Sequence, residues 1–350
     1  MQTRIETVDP QRMDETIMAE AGRLIAEGEL VAFPTETVYG LGADALNPEA
    51  SAKIYAAKGR PSDNPLIVHI ADFSDMARVA LELPPQAKLL SDAFWPGPLT
   101  MIVNKSDAVP KATTGGMDTV AVRMPNHPVA LELIRRSGCL IAAPSANTSG
   151  RPSPTEAAHV VEDMNGRIAM ILDGGPVGIG IESTIIDLTE PVPMVLRPGY
   201  ITPKMLSEVL GQEVILDPGI IAADDTRKPK APGMKYRHYA PKAQMVVVDG
   251  KEQAVVTKIN ELVKEKRDRG EKVAVIATEE TRSCYEADIV LCIGRRTDED
   301  AIAQHLYRIL RECDDLDVAA IYSECFQTPR IGQAIMNRLL KAAGHMIIEV

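Results

Sequence analysis

Residues 226–242 read TRKPKAPGMKYRHYAPK. Six lysines and arginines, three prolines and no acid share this stretch, which suits a linker better than a helix or a core strand. The chain differs on its two sides. Twenty of the 25 prolines lie at or before Pro203, and only Pro329 follows Pro241. The first two hundred residues are thus rich in fixed turns, and the last hundred are regular. A length of 350 residues, at about 150 residues per domain, predicts two domains. Either is large enough to bury a core without disulfide or metal staples.

Upstream, residues 13–27 show helical spacing, with Ile17, Ala21, Leu24 and Ile25 on one face. Apolar runs of strand length follow at Leu30–Phe33, Leu66–Ile70, Leu99–Val103, Val120–Val122, Leu140–Ala143, Met170–Leu172 and Ser183–Asp187. This predicts an α+β unit around a large mixed sheet. Downstream, QMVVVD, KVAVIAT, DIVLCIG and VAAIYS read as buried strands, with helices at 252–266, 298–312 and 331–343. Strand–helix alternation predicts a parallel sheet with crossover helices, so the chain as a whole is classed α/β (α+β). No G-x-G-x-x-G follows the first of these strands, so no dinucleotide site is assigned there.

With 38 basic and 49 acidic residues the net charge is −11, which confines any nucleic-acid contact to a local patch. The five cysteines are odd in number and form no C-x-x-C pair, which predicts a reducing, cytoplasmic setting. No apolar leader or stretch of membrane-spanning length is present, so neither a signal peptide nor a membrane span is expected.

Candidate chemistry concentrates upstream of the linker. Pro34–Gly42, P-T-E-T-V-Y-G-L-G, mixes hydroxyls, one acid and two glycines. Thr35, Thr37 and Tyr39 alternate, so an extended backbone would aim them together at a small polar ligand; a plain strand-to-turn exit reads equally well. In Ala57–Ile70, Lys58 and Arg60 flank Gly59. A point charge beside a planar fork is what a triphosphate needs, against a solvated turn as the bland reading. Asn64 could serve a base or ribose. His69 is out of step with Leu66, Val68 and Ile70, and a satisfied core histidine is its plainer reading.

Trp95–Val103, W-P-G-P-L-T-M-I-V, reads as structural. Arg123 ends an apolar strand in phase with Thr119 and Ala121, placed for a carboxylate or for an edge salt bridge. Ala142–Thr155 is a small-residue loop able to cradle phosphates and to start a helix. Glycine-rich Asp173–Asp187 leads into Ser183, and Val195–Gly199 adds Arg197. The linker contributes Tyr236, Arg237, His238 and Tyr239, suited to adenine stacking, phosphate or tRNA. No metal-ligand spacing and no nucleophile motif appears, so the donors fit phosphate chemistry by positioning and electrostatics.

The ordered set P-T-E-T-V-Y-G-L-G, K-G-R-P-S-D-N-P-L, Ser145–Asn147, I-E-S-T of Ile181–Thr184 and L-R-P-G resembles a YrdC-type domain. The linker P-G-M-K-Y-R-H-Y-A-P (Pro232–Pro241) is similar to that of the long, two-domain threonylcarbamoyl-AMP synthases. The resemblance implies a YrdC-type catalytic domain at 1–205, a linker over the active site at 206–243, and a Rossmann-like domain at 244–350. It implies that L-threonine, bicarbonate and ATP with Mg2+ become threonylcarbamoyl-AMP and pyrophosphate, for tRNAs reading ANN codons. Thr37, His69, Arg123, Ala143 and Ser183 would then hold threonine. Lys58, Arg60, Asn64, Thr119, Ser145, Ser153, Arg197, Tyr236 and His238 would hold ATP. Lys58, Arg60, Ser145 and Asn147 resemble the family's catalytic tetrad. The implied partners are the downstream tRNA threonylcarbamoyl transferase machinery and tRNA itself at the basic linker, with no membrane. Two alternatives stay open: a carbamoyl-adenylate-forming carbamoyltransferase and a non-enzymatic RNA-binding module.

Overall fold

The computed structural model describes residues 2–220 and 239–350. They divide into two compact units. One comprises 2–149, 153–178 and 182–220, the other 150–152, 179–181 and 239–350.

In the first unit, β1 (Arg4–Thr7), β2 (Val31–Phe33), β3 (Gly40–Asp44) and β4 (Ile67–His69) come first. They are followed by β5 (Leu99–Asn104), β6 (Thr119–Arg123), β7 (Ile141–Ala142) and β8 (Met170–Asp173). Then β9 (Thr184–Asp187), β10 (Met194–Arg197) and β11 (Ile215–Leu216) close an eleven-stranded sheet of order β1-β8-β2-β3-β7-β4-β6-β5-β9-β10-β11. The sheet is mixed: β4 runs parallel to β6, and β5 runs antiparallel to β6. One face packs Leu66, Val68, Ile70, Val120 and Val122 into the main core. The other carries a small patch of Ile67, Ile102, Ala121, Ile185 and Leu196. The helix Pro203–Leu210 and β11 extend this unit past residue 205, and Leu206 and Val214 belong to its main core.

Four helices, Pro48–Lys58, Pro85–Phe94, Pro128–Ser137 and Pro203–Leu210, begin on a proline. Proline is pre-set for the first helical position, where its missing N–H costs nothing. The first unit is therefore more helical than its proline content predicts. Helix Pro48–Lys58 shows the full logic. The Asn47 side chain accepts from the N–H groups of Glu49 and Ala50, and Gly59 ends the helix in the left-handed conformation. Those two signals place Lys58 in the last turn.

In the second unit, β12 (Gln244–Asp249), β13 (Val273–Ala277), β14 (Ile289–Cys292), β15 (Ala320–Glu324) and β16 (Ile347–Glu349) pair only in parallel, in the order β14-β13-β15-β12-β16. Helices Glu252–Arg267, Glu299–Asp315 and Gly332–Ala342 connect them, close to the predicted bounds. Buried Glu324 is satisfied by the hydroxyls of Thr281 and Tyr285 and by the Arg296 guanidinium. Among the described residues no helix is long and apolar enough to cross a membrane.

Close backbone approach fixes the turn after β10. A Cβ at Gly199 would lie 2.5 Å from the Thr184 nitrogen and 2.7 Å from its Oγ1. Gly199→Ala should therefore cost about 1–3 kcal/mol, the usual toll of overpacking, read as a lower urea midpoint with an unchanged slope.

Candidate active site

The sheet sets a row of polar side chains across its middle strands. His69 on β4 aligns with Arg123 on β6, and Arg123 aligns with Thr100 on β5. Neighbouring residues on β4 and β6 enter the core, so alternation turns His69 and Arg123 to the opposite face. Arg123 is only 4% exposed, and a buried guanidinium needs partners. Its Nη1 donates to Thr37 Oγ1 at 2.9 Å, and its Nε donates to the Gly97 carbonyl at 3.3 Å. The W-P-G-P turn thus holds Arg123 as well as shaping the strand that follows. Nη2 lies 2.7 Å from Glu36 Oε2.

Thr37 reaches Arg123 from a bend, and the extended row of hydroxyls expected over Thr35–Tyr39 does not form. Thr35 Oγ1 accepts from the N–H groups of Thr37 and Val38 and donates to the Val38 carbonyl at 2.6 Å. A threonine hydroxyl that bonds its own backbone closes a turn in place of a strand. The chain re-enters the sheet as β3, antiparallel to β2.

His69 Nδ1 bonds the Ile67 carbonyl oxygen at 3.1 Å, and its ring meets Phe33 edge-on. Burial, reinforced by the Arg123 charge, pushes its pKa down to about 3, so the imidazole is neutral at ordinary pH. Ser183 enters from the other side. Its hydroxyl shares a 2.7 Å hydrogen bond with Thr100 Oγ1 and accepts from Arg197 at 3.1 Å, while Arg197 Nε donates to the Ser183 carbonyl. Ala143 is tied to β4 by its N–H, which donates to the Ile67 carbonyl at 2.8 Å. The five residues assigned to threonine thus surround one row of the sheet.

A second cluster forms where helix Pro48–Lys58 ends. Lys58 is 1% exposed, and its Nζ donates to the carbonyls of Ser145 and Asn147. The Ser145 loop is bound in turn to P-T-E-T-V-Y-G-L-G, because Leu41 N–H donates to Pro144 and Ala146 N–H donates to Tyr39. Arg60 wraps its own turn, donating to the carbonyls of Asn64 and Pro65. Asn64 is buried, and its Oδ1 has no hydrogen-bond donor. Thr119 opens β6 four residues before Arg123, and the loop leading to it packs on the Asn64 turn. Ser153 Oγ donates to Glu182 Oε1 at 2.5 Å. Lys58, Ser145 and Asn147 are thus in direct contact; no bond joins Thr119 or Ser153 to them. Tyr236, His238 and residues 221–238 of the expected cover lie outside the described residues, while 206–210 and 215–216 of it are helix and strand of the first unit.

The sequence reading missed three participants: Glu36, Gly97 and His127. Glu36 is the only acid in its motif, enclosed by threonines, and that was the available signal. His127 is held below the ordinary histidine range by burial, against an upward pull from Glu36.

Known proteins resemble the chain along nearly its whole length. A family model described as "Telomere recombination" matches residues 23–199, and one described as "Threonylcarbamoyl-AMP synthase, C-terminal domain" matches residues 201–344. The threonylcarbamoyl-AMP synthase of Bacillus subtilis (strain 168) is 50% identical over 346 residues, 99% of this chain and 96% of the relative. That of Pyrococcus abyssi (strain GE5 / Orsay) is 50% identical over 341 residues, 97% and 98% of the two chains. The crystal structure of P. abyssi Sua5 complexed with L-threonine is similar at a TM-score of 0.94 and 48% identity, covering 99% of this chain and 100% of that one. The chain belongs to the threonylcarbamoyl-AMP synthase family. It has the two-domain form of that family and, as a member, is an ATP-using, adenylyl-transferring enzyme.

Two outcomes test the site's physical chemistry. Between pH 6.5 and about 3 the unfolded chain protonates His69 while the folded chain does not, so folding stability falls as pH drops through that window. His69→Gln should flatten that slope in urea unfolding followed across the same range. Thr37→Val removes a buried acceptor from Arg123 and should cost about 1–3 kcal/mol of stability by the same method.

Proposed function

We propose that the chain condenses L-threonine, bicarbonate and ATP, delivered as its magnesium complex, into threonylcarbamoyl-AMP and pyrophosphate. The observation that carries this reading is the joint presence of a buried arginine on a polar row of the sheet and a buried lysine held by the Ser145 carbonyl, two residues on from Ala143, which binds the strand of that row. Support comes from synthases similar along nearly the whole chain, and from the structure of P. abyssi Sua5 complexed with L-threonine.

Each substrate has a chemically matched set of residues. Arg123 receives the threonine carboxylate, and Thr37, neutral His69, Ala143 and Ser183 line the remainder of the amino acid. Lys58 and Arg60 offset phosphate charge, with Asn64, Thr119, Ser145, Ser153 and Arg197 completing the nucleotide contacts. Threonine's amine adds to CO2 derived from bicarbonate, giving a carbamate. A carbamate oxygen then attacks the α-phosphorus, and the bond from that phosphorus to pyrophosphate breaks. No side-chain nucleophile is needed, because orientation and charge compensation carry the barrier reduction. The product is a hydrolysable mixed anhydride, suited to immediate use by a tRNA threonylcarbamoyl transferase in the cytoplasm.

Pyrophosphate release by the purified protein should require threonine and bicarbonate together and should favour threonine over serine. Release that ignores both would reject the synthesis. Turnover from carbamoyl phosphate in their place would transfer the chain to carbamoyltransferase chemistry. Arg60→Ala should lower kcat/KM for ATP by about 10²-fold, the usual cost of one preorganised charge donor, with wild-type rates rejecting its role.

A further inference from the structure

Glu36 and Arg123 form an ion pair that leaves its own hydrogen-bonding capacity unused. The charges approach to 2.7 Å between Nη2 and Oε2. Yet neither Nη2 nor either oxygen of the Glu36 carboxylate makes an aligned hydrogen bond, and all three atoms are buried. Nδ1 of His127, whose titration feels Glu36, is a fourth such atom. Native interiors satisfy nearly all buried polar atoms, and a buried ion pair is tolerable only when further hydrogen bonds complete it. A pair kept purely for stability would be aligned. The other two nitrogens of Arg123 already have their acceptors in Thr37 and Gly97. The guanidinium is therefore fixed, and Nη2 is the donor left to a ligand.

The unmatched atoms are of two kinds, one donor nitrogen on Arg123 and two acceptor oxygens on Glu36, side by side in the same buried place. A single anion would satisfy only the donor and would meet the Glu36 charge. A single cation would do the reverse. The ligand that satisfies both carries a carboxylate and an ammonium on one carbon, an α-amino acid zwitterion. We propose that Glu36 receives the α-ammonium of the substrate while Arg123 receives its carboxylate. Glu36 is thereby a substrate-contacting residue that selects amino acids over hydroxy acids. This rests on the threonine reading of Arg123 given above.

The assignment is tested by calorimetric binding of L-threonine and of three analogues: 2,3-dihydroxybutanoate, which lacks the ammonium, threonine methyl ester, which lacks the carboxylate, and 2-aminobutyrate, which lacks the side-chain hydroxyl. A hydrogen bond to a charged group predicts that the wild-type protein prefers threonine over the dihydroxy acid by about 10- to 100-fold. In Glu36→Gln that preference should shrink to about 3-fold or less, while the preference for threonine over its ester persists. Should Glu36→Gln fail to fold, Glu36→Asp keeps the charge at a shorter reach and should retain a reduced preference. An undiminished preference in either folded variant overturns the proposal. So does a Glu36→Gln protein that loses only its preference over 2-aminobutyrate, since the carboxylate would then be reading the hydroxyl. Arg123→Gln separates the underlying reading: if it leaves the preference over the ester intact, Arg123 does not hold the carboxylate, whatever Glu36 does.

Discussion

A guanidinium buried in the middle of a sheet is the constraint around which the first unit is arranged. Arg123 cannot be desolvated without acceptors, and two distant parts of the chain supply them: the Glu36–Thr37 bend, with a counter-charge and a hydroxyl, and Gly97 in a proline-glycine turn. Those segments are far apart in sequence and meet only because β4, β6 and β5 lie side by side. Burial, with the Arg123 charge adding to it, lowers the proton affinity of His69, so the next residue in the row stays neutral. Binding capacity and fold stability thus share the same side chains.

The cluster around Lys58 is built on a different principle. A helix with a strong start at Asn47 and a glycine stop at Gly59 delivers Lys58 to a fixed point, where two backbone carbonyls hold its ammonium. Arg60 is held by the turn it belongs to. Cations tied to backbone atoms are held in place before any ligand arrives, which is the preorganisation that charge-stabilised chemistry in general requires. Among the described residues, the second unit carries none of the assigned ones. Glu324, buried at the end of β15, has its carboxylate satisfied by Thr281, Tyr285 and Arg296.

Legibility in the sequence tracked how local the governing interaction is. Four strands of the second sheet were readable almost to the residue, because buried parallel strands appear as short apolar runs separated by amphipathic helices, while the short, exposed β16 was not read. In the first unit the runs at Leu66–Ile70, Leu99–Val103 and Val120–Val122 each mark a strand within a residue or two. The helices that begin on proline were hidden, since the same residue marks turns. β3 was hidden too, because G-L-G-A-D carries glycines that ordinarily weaken a strand; here, Cβ atoms at Gly40 and Gly42 would press on Phe33. Among site residues, Lys58, Arg60 and Arg123 stood out by charge in apolar or constrained surroundings. Glu36 did not, as an acid beside hydroxyls is unremarkable until its neighbour is a buried arginine.

The sequence by itself determined the two-part organisation, the parallel second sheet, the phase that turns His69 and Arg123 away from the core, and a donor-rich chemistry without a nucleophile. These depend on spacing and composition, which are properties of short stretches of chain. Only the tertiary structure decided that Thr37, Gly97 and Glu36 converge on Arg123, that Ser183 binds Thr100 and Arg197, and that Lys58 anchors to Ser145 and Asn147. Such meetings follow from strand order and register, which are set by the cooperative burial of the whole sheet and leave no mark on any single segment.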